Sequence, residues 1–413
     1  MPVLLALALV ALPPAAASPP QAQTAPVAFS GTRAHQDVDV LAAQIGSRPA
    51  GSDSYEQAVR YAVYQLQQAG YAPTLQTFPV ETYVDRGSTL QLPDQGEAVV
   101  ATTLQYSVGG QVEGRLVDAG LGRPEDIGGV DLQGKVALIK RGGLRFSDKV
   151  ANTAAAGAVG AVVYNDSPGA VQGTLADRQP IPAATVSGAD GQRLLDRLAA
   201  AGGELVARLT VDGAIEQRSA TNVVAEKAGE QPNAGTVVFG AHLDSVAAGP
   251  GANDNGSGSA VVLELARVLA ERHAALGLRF VLFGAEELGL FGSQHYVQGL
   301  SPAERSATRA MINLDMVGVG QAWRLGGTDE LVQLGLGATS AMGERALPLH
   351  GSLASASDHA SFLAAGVPAL FIYRVEDPNY HTAADRAELV DAAALEQAGT
   401  IALHVLDALA AGQ

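Results

Sequence analysis

Apolar positions change rhythm three times along the chain. Over Tyr55–Gly70, YEQAVRYAVYQLQQAG, they recur at helical spacing and stop at a glycine suited to a helix C-terminus. YAPTLQTFPVETY, which follows, reads as a strand. Between about Val84 and Ile215 come short runs rich in Gly, Val and Ala: GRLVDAG, KVALIKRG, AVGAVVYND and IPAATVSG, with one helical stretch, FSDKVANTAAAGA. From Thr221 onward, near-continuous apolar runs (TNVVAEKAG, GTVVFGAHLD, LRFVLFGAEE, RAMINLDMVG, PALFIYRVED) alternate with helical stretches. The clearest of these helices is GSAVVLELARVLAERHA, with Ser257 or Ser259 available as N-cap. Strands that are apolar throughout are buried on both faces. The expected fold is therefore α/β, a mostly parallel mixed sheet sandwiched by helices, with a small inserted domain of strands and helices.

Composition narrows the picture. The length of 413 residues suits two or three domains, and 47% hydrophobic residues suffice for a substantial core. A net charge of −16 argues against nucleic acid and anionic membranes as partners. Cysteine is absent, so a metal site would have to use histidines and carboxylates. Val3–Leu12, VLLALALVAL, is apolar and too short to span a bilayer. Small residues then offer cleavage near Ala17 or Ala22, although no Lys or Arg precedes the run. The expectation is a signal peptide over 1–22, a flexible leader over 23–34, a secreted or periplasmic location, and no stable membrane insertion.

The acids and histidines gather at strand ends. VVFGAHLDS ends one strand with His242 and Asp244, FVLFGAEE another with Glu286 and Glu287, MINLDM a third with Asp315, and His381 follows a fourth. Open α/β sheets bind ligands at the carboxyl ends of their strands, and such a concentration of negative charge calls for a divalent cation. Two histidines with several carboxylates and no thiol favour zinc. Two zinc ions sharing a site need a bridging carboxylate. PGANDNGSGSA (Pro250–Ala260) has the composition of a linker, yet it holds one carboxylate, Asp254, among small residues that would let two ions approach it.

In this order, GAHLDS, GANDNGSG, GAEELGLFGS, NLDMVG, SDHASF and NYHT resemble the secreted co-catalytic two-zinc aminopeptidases, a superfamily that includes transferrin receptor and glutamate carboxypeptidase. SRPAGS (Ser47–Ser52) resembles the N-terminal signature of that family, and GKVALIKRGGLRFSDKVANTAAAGAVGAVVYND resembles a protease-associated domain. The resemblance implies a discontinuous catalytic domain, 35–84 and 215–413, interrupted by a protease-associated domain over 85–214. It implies His242 and Asp315 on one zinc, Glu287 and His381 on the other, and Asp254 bridging them. Glu286 would be the general base, Asp244 would orient His242 by accepting its hydrogen bond, and Tyr380 would donate to the oxyanion. The substrates implied are peptides with a free N-terminus.

The plainer readings concern single residues. His359, in ASASDHASFLAAG, competes with His381 as a ligand, but it reads as a helix residue behind a Ser357 N-cap, with Asp358 shaping the pocket wall. His295 and His273 read as helix residues, and Arg48 as structural. Three other functions remain open on this scaffold. A carboxypeptidase would need a cationic group such as Arg324 or Arg374 for the substrate's terminal carboxylate. A glutaminyl cyclase would use one zinc. A binding protein would carry a dead site.

Overall fold

The computed structural model describes residues 28–169, 171–176, 178–231, 233–351 and 355–412. The expected signal peptide, 1–22, and the leader up to residue 27 lie outside the described residues. Among the described residues, no helix is long and apolar enough to cross a membrane.

Six strands come first: β1 (Thr74–Leu92), β2 (Glu97–Thr103), β3 (Gly110–Asp118), β4 (Val136–Lys140), β5 (Gly160–Tyr164) and β6 (Ala183–Val186). Then follow β7 (Val206–Lys227), β8 (Thr236–His242), β9 (Gly277–Phe283), β10 (Thr308–Leu314), β11 (Ala322–Gly327), β12 (Ala346–Pro348) and β13 (Ala369–Val375). They join in the order β1-β2-β6-β5-β4-β3-β7-β9-β8-β10-β13-β11-β12. Strands β9, β8, β10 and β13 run parallel, flanked by antiparallel β7 on one side and antiparallel β11 on the other. The mostly parallel mixed sheet expected from the apolar runs is the one observed.

Alternation along these strands feeds two cores. Val237, Phe239 and Ala241 of β8, with Ile312 and Leu314 of β10 and Leu370 and Ile372 of β13, enter the larger core. Val238, Met311 and Ala369 enter a smaller core on the opposite face. Burial on both faces explains why these segments are apolar at every position. The inserted module repeats the plan in miniature: Val136 and Leu138 enter one small core, Ala137 and Ile139 another.

β1 and β7 differ from expectation in length. They have 19 and 22 residues and pair antiparallel from Thr74↔Val224 to Gln91↔Arg208. The ribbon runs out of the large sheet and becomes part of the inserted module. Residues 84 and 214, where the sequence suggested cuts, face each other within it as Val84↔Ala214.

The first helix starts at Gly31, inside the stretch read as leader, because its polar residues have partners far along the chain. The Ser30 side chain caps it, and the Ser30 amide donates to Glu264 Oε1 at 3.0 Å. Glu264 is fully buried on the helix Gly258–Ala270 and receives Arg33 at 2.5 Å and Arg267 at 2.7 Å. Arg267 also reaches Asp37 at 2.5 Å. A loss of Glu264 takes an ionic partner from two guanidiniums at once. Glu264→Ala should lower unfolding stability by roughly 3 kcal/mol, the lower end for breaking a buried ion pair because Arg33 stays partly exposed; urea melts followed by circular dichroism measure this.

Candidate metal centre

The stretch from Gly251 to Ala260 is buried at every residue, so the segment that resembles a linker by composition lies inside the protein. It connects β8 to the helix Gly258–Ala270 across the C-terminal edge of the sheet. Asp254 sits at its centre with extended backbone, φ −113° and ψ 91°, and only 5% exposed. Two of the glycines are required by the chain itself. Gly251 has φ 60°, and a Cβ there would lie 2.4 Å from the Asp254 carbonyl oxygen. A Cβ on Gly258 would lie 2.0 Å from the Leu314 carbonyl oxygen.

The two asparagines beside Asp254 fasten the loop to the end of β10. Asn253 Oδ1 accepts from the Gly318 amide at 2.9 Å, and its Nδ2 donates to Asp377 at 2.8 Å. Asn255 Nδ2 donates to the Leu314 carbonyl at 2.9 Å. Asn255 Oδ1 accepts from the Gly258 amide at 2.8 Å, so Asn255 supplies the side-chain cap, while Ser257 occupies the N-cap position as expected without making that bond. Asp385 closes the other side, taking the Asn253 and Asp254 amides on its two oxygens at 2.8 and 3.1 Å. Burial pushes the Asp385 pKa up to about 6 against the pull of these amides.

Around Asp254 the strand ends converge. Its Oδ1 lies 3.3 Å from His242 Nε2, which is itself 3.3 Å from Asp315 Oδ1. Its Oδ2 lies 3.1 Å from His381 Nε2, which is 3.2 Å from Glu287 Oε2. Two triads therefore meet on one carboxylate, each using a different oxygen. Glu286 joins them: one atom each of His242, Glu286 and Asp315 lie within 4.8 Å of one another, as do those of His242, Asp254 and Glu287.

The donor set fits a divalent cation. His242 Nε2, Glu287 Oε1 and Asp315 Oδ1 are buried with no hydrogen-bond partner among the described residues. Such atoms are costly unless something binds them. Charge points the same way. Burial alone would depress His381, yet its contacts with Asp254 and Glu287 outweigh that and hold its pKa at about 10. Burial, reinforced by the Asp254 charge, lifts Glu287 to about 7 even though it is bonded to His381. Burial raises Glu286 well above the usual carboxylate range, with His242 opposing. A shell that drags its own imidazoles upward in this way lacks positive charge.

The remaining side chains hold this shell in place. His242 Nδ1 donates to the backbone carbonyl of Asp244 at 3.1 Å, which leaves Nε2 free to ligate. The Asp244 carboxylate, expected to take that proton, is 3.8 Å away. It accepts instead from the amides of Glu286 and Glu287, at 3.2 and 3.3 Å, and so positions the two glutamates. Ser357 is not an N-cap; its Oγ donates to Asp315 Oδ2 at 2.7 Å while accepting from Asn313 at 2.7 Å. Tyr380 is half exposed and stacks on His381, ring centroids 3.7 Å apart. His359 stacks on Phe371 at 4.5 Å, His295 on Phe78 at 4.8 Å, and His273 lies beyond its helix, exposed beside Glu230.

Arg48 does more than fill space. It is fully buried, and its guanidinium donates to the carbonyls of Leu41, Leu243, Gly46, Pro250 and Gly251 at 2.5–3.1 Å. It thereby joins the N-terminal segment, the end of β8 and the start of the Asp254 loop. Burial lowers its pKa to about 10, with Asp244 the strongest counterweight. Arg374 points to the other face of the sheet, its guanidinium 5.3 Å above the Trp323 ring.

Comparison with known proteins agrees with this geometry. Residues 222–406 match the model of peptidase family M28, and residues 112–194 match the PA domain. The chain is 31% identical over 395 residues to aminopeptidase YwaD of Bacillus subtilis, covering 90% of this chain and 83% of that one. The chain belongs to peptidase family M28. The PA match precedes the family match, and residues ahead of it, from Ala34 to Val80, pack into the same core as the family-matched segment. BSAP, a zinc aminopeptidase from B. subtilis, superposes with a TM-score of 0.78 at 28% identity, over 91% of this chain and 94% of BSAP. An aminopeptidase of Pseudomonas aeruginosa is 37% identical over 305 residues, 68% of this chain; the chain spans only 55% of that relative's length.

The Arg48 contacts lead to a stability prediction. Arg48→Ala takes a donor from five carbonyls; those of Leu41 and Gly251 keep a backbone amide, and the other three lose their guanidinium partner at about 1–3 kcal/mol for each that water cannot reach. It should therefore destabilise the fold by more than about 3 kcal/mol in a denaturant melt.

Proposed function

We propose that this chain is an exported zinc aminopeptidase that releases N-terminal residues from peptides. The reading rests on the two triads that share Asp254, one oxygen to each. His242 and Asp315 would hold one zinc ion, Glu287 and His381 a second, with Asp254 between them. When bound, two zinc ions polarise a peptide carbonyl, acidify water and leave a position for a free α-amine. Export is supported by the apolar run Val3–Leu12 and the small residues after it.

The protein's own groups supply the proton transfers. Glu286 carries no ion pair among the described residues and stands beside His242 and Asp315, free to act as general base. It takes the proton of the attacking water and returns it to the leaving amine. Its backbone amide is held by Asp244, which fixes where the side chain starts. Tyr380, stacked on His381, presents its hydroxyl at the mouth of the site and donates to the substrate oxyanion.

Aminoacyl-anilides with free and acetylated N-termini test the reading. Free substrates should be cleaved and acetylated ones spared, with activity lost on chelation and restored by zinc; cleavage of acetylated substrates would overturn it. Glu286→Gln should keep its zinc and lose about 10²–10⁴-fold in rate, the usual share of acid–base catalysis. Metal analysis checks the shared ligand: Asp254→Asn should weaken both zinc sites together, whereas His242→Ala should weaken mainly one.

A further inference from the structure

Three adjacent strands carry Asp315, Tyr373 and Arg324 in one row. The Asp315 amide donates to the Ile372 carbonyl at 3.2 Å, which sets Asp315 beside Tyr373 as a continuation of the Leu314↔Ile372 pair. Tyr373 lies directly opposite Arg324 in the antiparallel pairing of β13 with β11. Opposed residues share a face, and alternation says which. Trp323, Leu325, Leu370 and Ile372 enter the larger core, so Arg324, Phe371 and Tyr373 lie on the other face. That is the face of Asp315 and Ser357. The stack of Arg374 on Trp323, the neighbouring opposed pair, shows the same parity. With strands ~4.8 Å apart, Arg324 stands about 10 Å from Asp315 along the row, within reach of one extended side chain.

The chemistry of this arginine is unspent. The chain has 42 acidic and 26 basic residues, yet no carboxylate lies within 4.0 Å of the Arg324 guanidinium among the described residues. Its one side-chain hydrogen bond goes to the carbonyl of its own neighbour, Trp323, at 3.3 Å. It is only partly buried, so its donors remain open to a ligand. Tyr373 lies between it and the carboxylate cluster. After burial, the charge of Asp315 is the main influence raising the Tyr373 hydroxyl. A cation at this position would be wasted on an apolar substrate side chain, and it suits a planar carboxylate that can take two of its N–H groups.

We propose that Arg324 binds a carboxylate of the peptide substrate, with Tyr373 as the wall between that carboxylate and the reacting bond. The inference rests on the aminopeptidase reading. The carboxylate has two possible sources, the side chain of an acidic N-terminal residue or the free C-terminus of a very short peptide.

Selectivity ratios test it on the zinc-loaded full chain. One arm compares kcat/KM for glutamyl- and glutaminyl-anilide; the other compares Leu-Gly with Leu-Gly-amide. Arg324→Leu should reduce one of these ratios about tenfold, the loss expected for a charge-assisted hydrogen bond, and the arm that falls names the source. Arg324→Glu should move the same ratio further in the same direction, and Arg324→Lys should partly restore it. If the variants fold poorly, product inhibition of the wild type replaces them. Free glutamate should inhibit better than free glutamine, or free glycine better than glycinamide. Ratios unchanged within twofold in both arms, or equal inhibition in both pairs, overturn the proposal. Failure of the wild type to cleave any free aminoacyl-anilide would instead overturn the aminopeptidase reading itself.

Discussion

Carboxylates repel one another, and this fold forces five of them, Asp244, Asp254, Glu286, Glu287 and Asp315, around two imidazoles at the rim of a sheet. Most of that shell is buried, so water screens little of the repulsion. The surrounding structure is organised to hold such an arrangement. Asp385 grips the backbone of Asp254, Asn253 and Asn255 tie its loop to β10, Ser357 fixes Asp315, and Arg48 fastens the loop's first turn. Apart from the Asp385 carboxylate, which holds the backbone, each contact spends a neutral dipole or a cation to keep an anion where it would not stay alone. The donor atoms are thereby held together in an arrangement that fits a divalent cation.

Much of this was legible in the sequence, for identifiable reasons. The parallel strands showed themselves as unbroken apolar runs because helices cover both of their faces. The acids and His242 stood out because they fall where those runs stop, and strand ends of such sheets are where ligands bind. Asp254 is identifiable only through its neighbours in sequence, and the second task of its glycines is not legible there. They admit the chain's own carbonyls.

What escaped notice depends on contacts across long separations or on the backbone. Arg48 reaches carbonyls some 200 positions away, and carbonyls carry no sequence signal. The Asp244 carboxylate turned to the amides of the glutamates, which any residue would supply, rather than to the histidine two positions before it. Ser357 resembled a helix cap because a serine before an apolar helix usually is one, and only the fold brings Asp315 to it. The ordered residues ahead of position 35 depend on Glu264, more than 200 residues downstream. The β1–β7 ribbon was read in pieces because its exposed middle lacks the apolar density of a core strand.

That ribbon has a consequence of its own. The PA domain is carried on two paired strands, with one register shift between Asp85 and Ser88, and not on a pair of loose linkers. Its distance from the metal centre is therefore counted in backbone steps. A single inserted residue that no bulge absorbs would turn every side chain beyond it to the wrong face, whereas two residues added to both strands would lengthen the arm by about 7 Å and preserve its facing. An arm of this kind keeps its facing by changing in matched, even increments, or by taking up an odd residue in a bulge such as the one between Asp85 and Ser88.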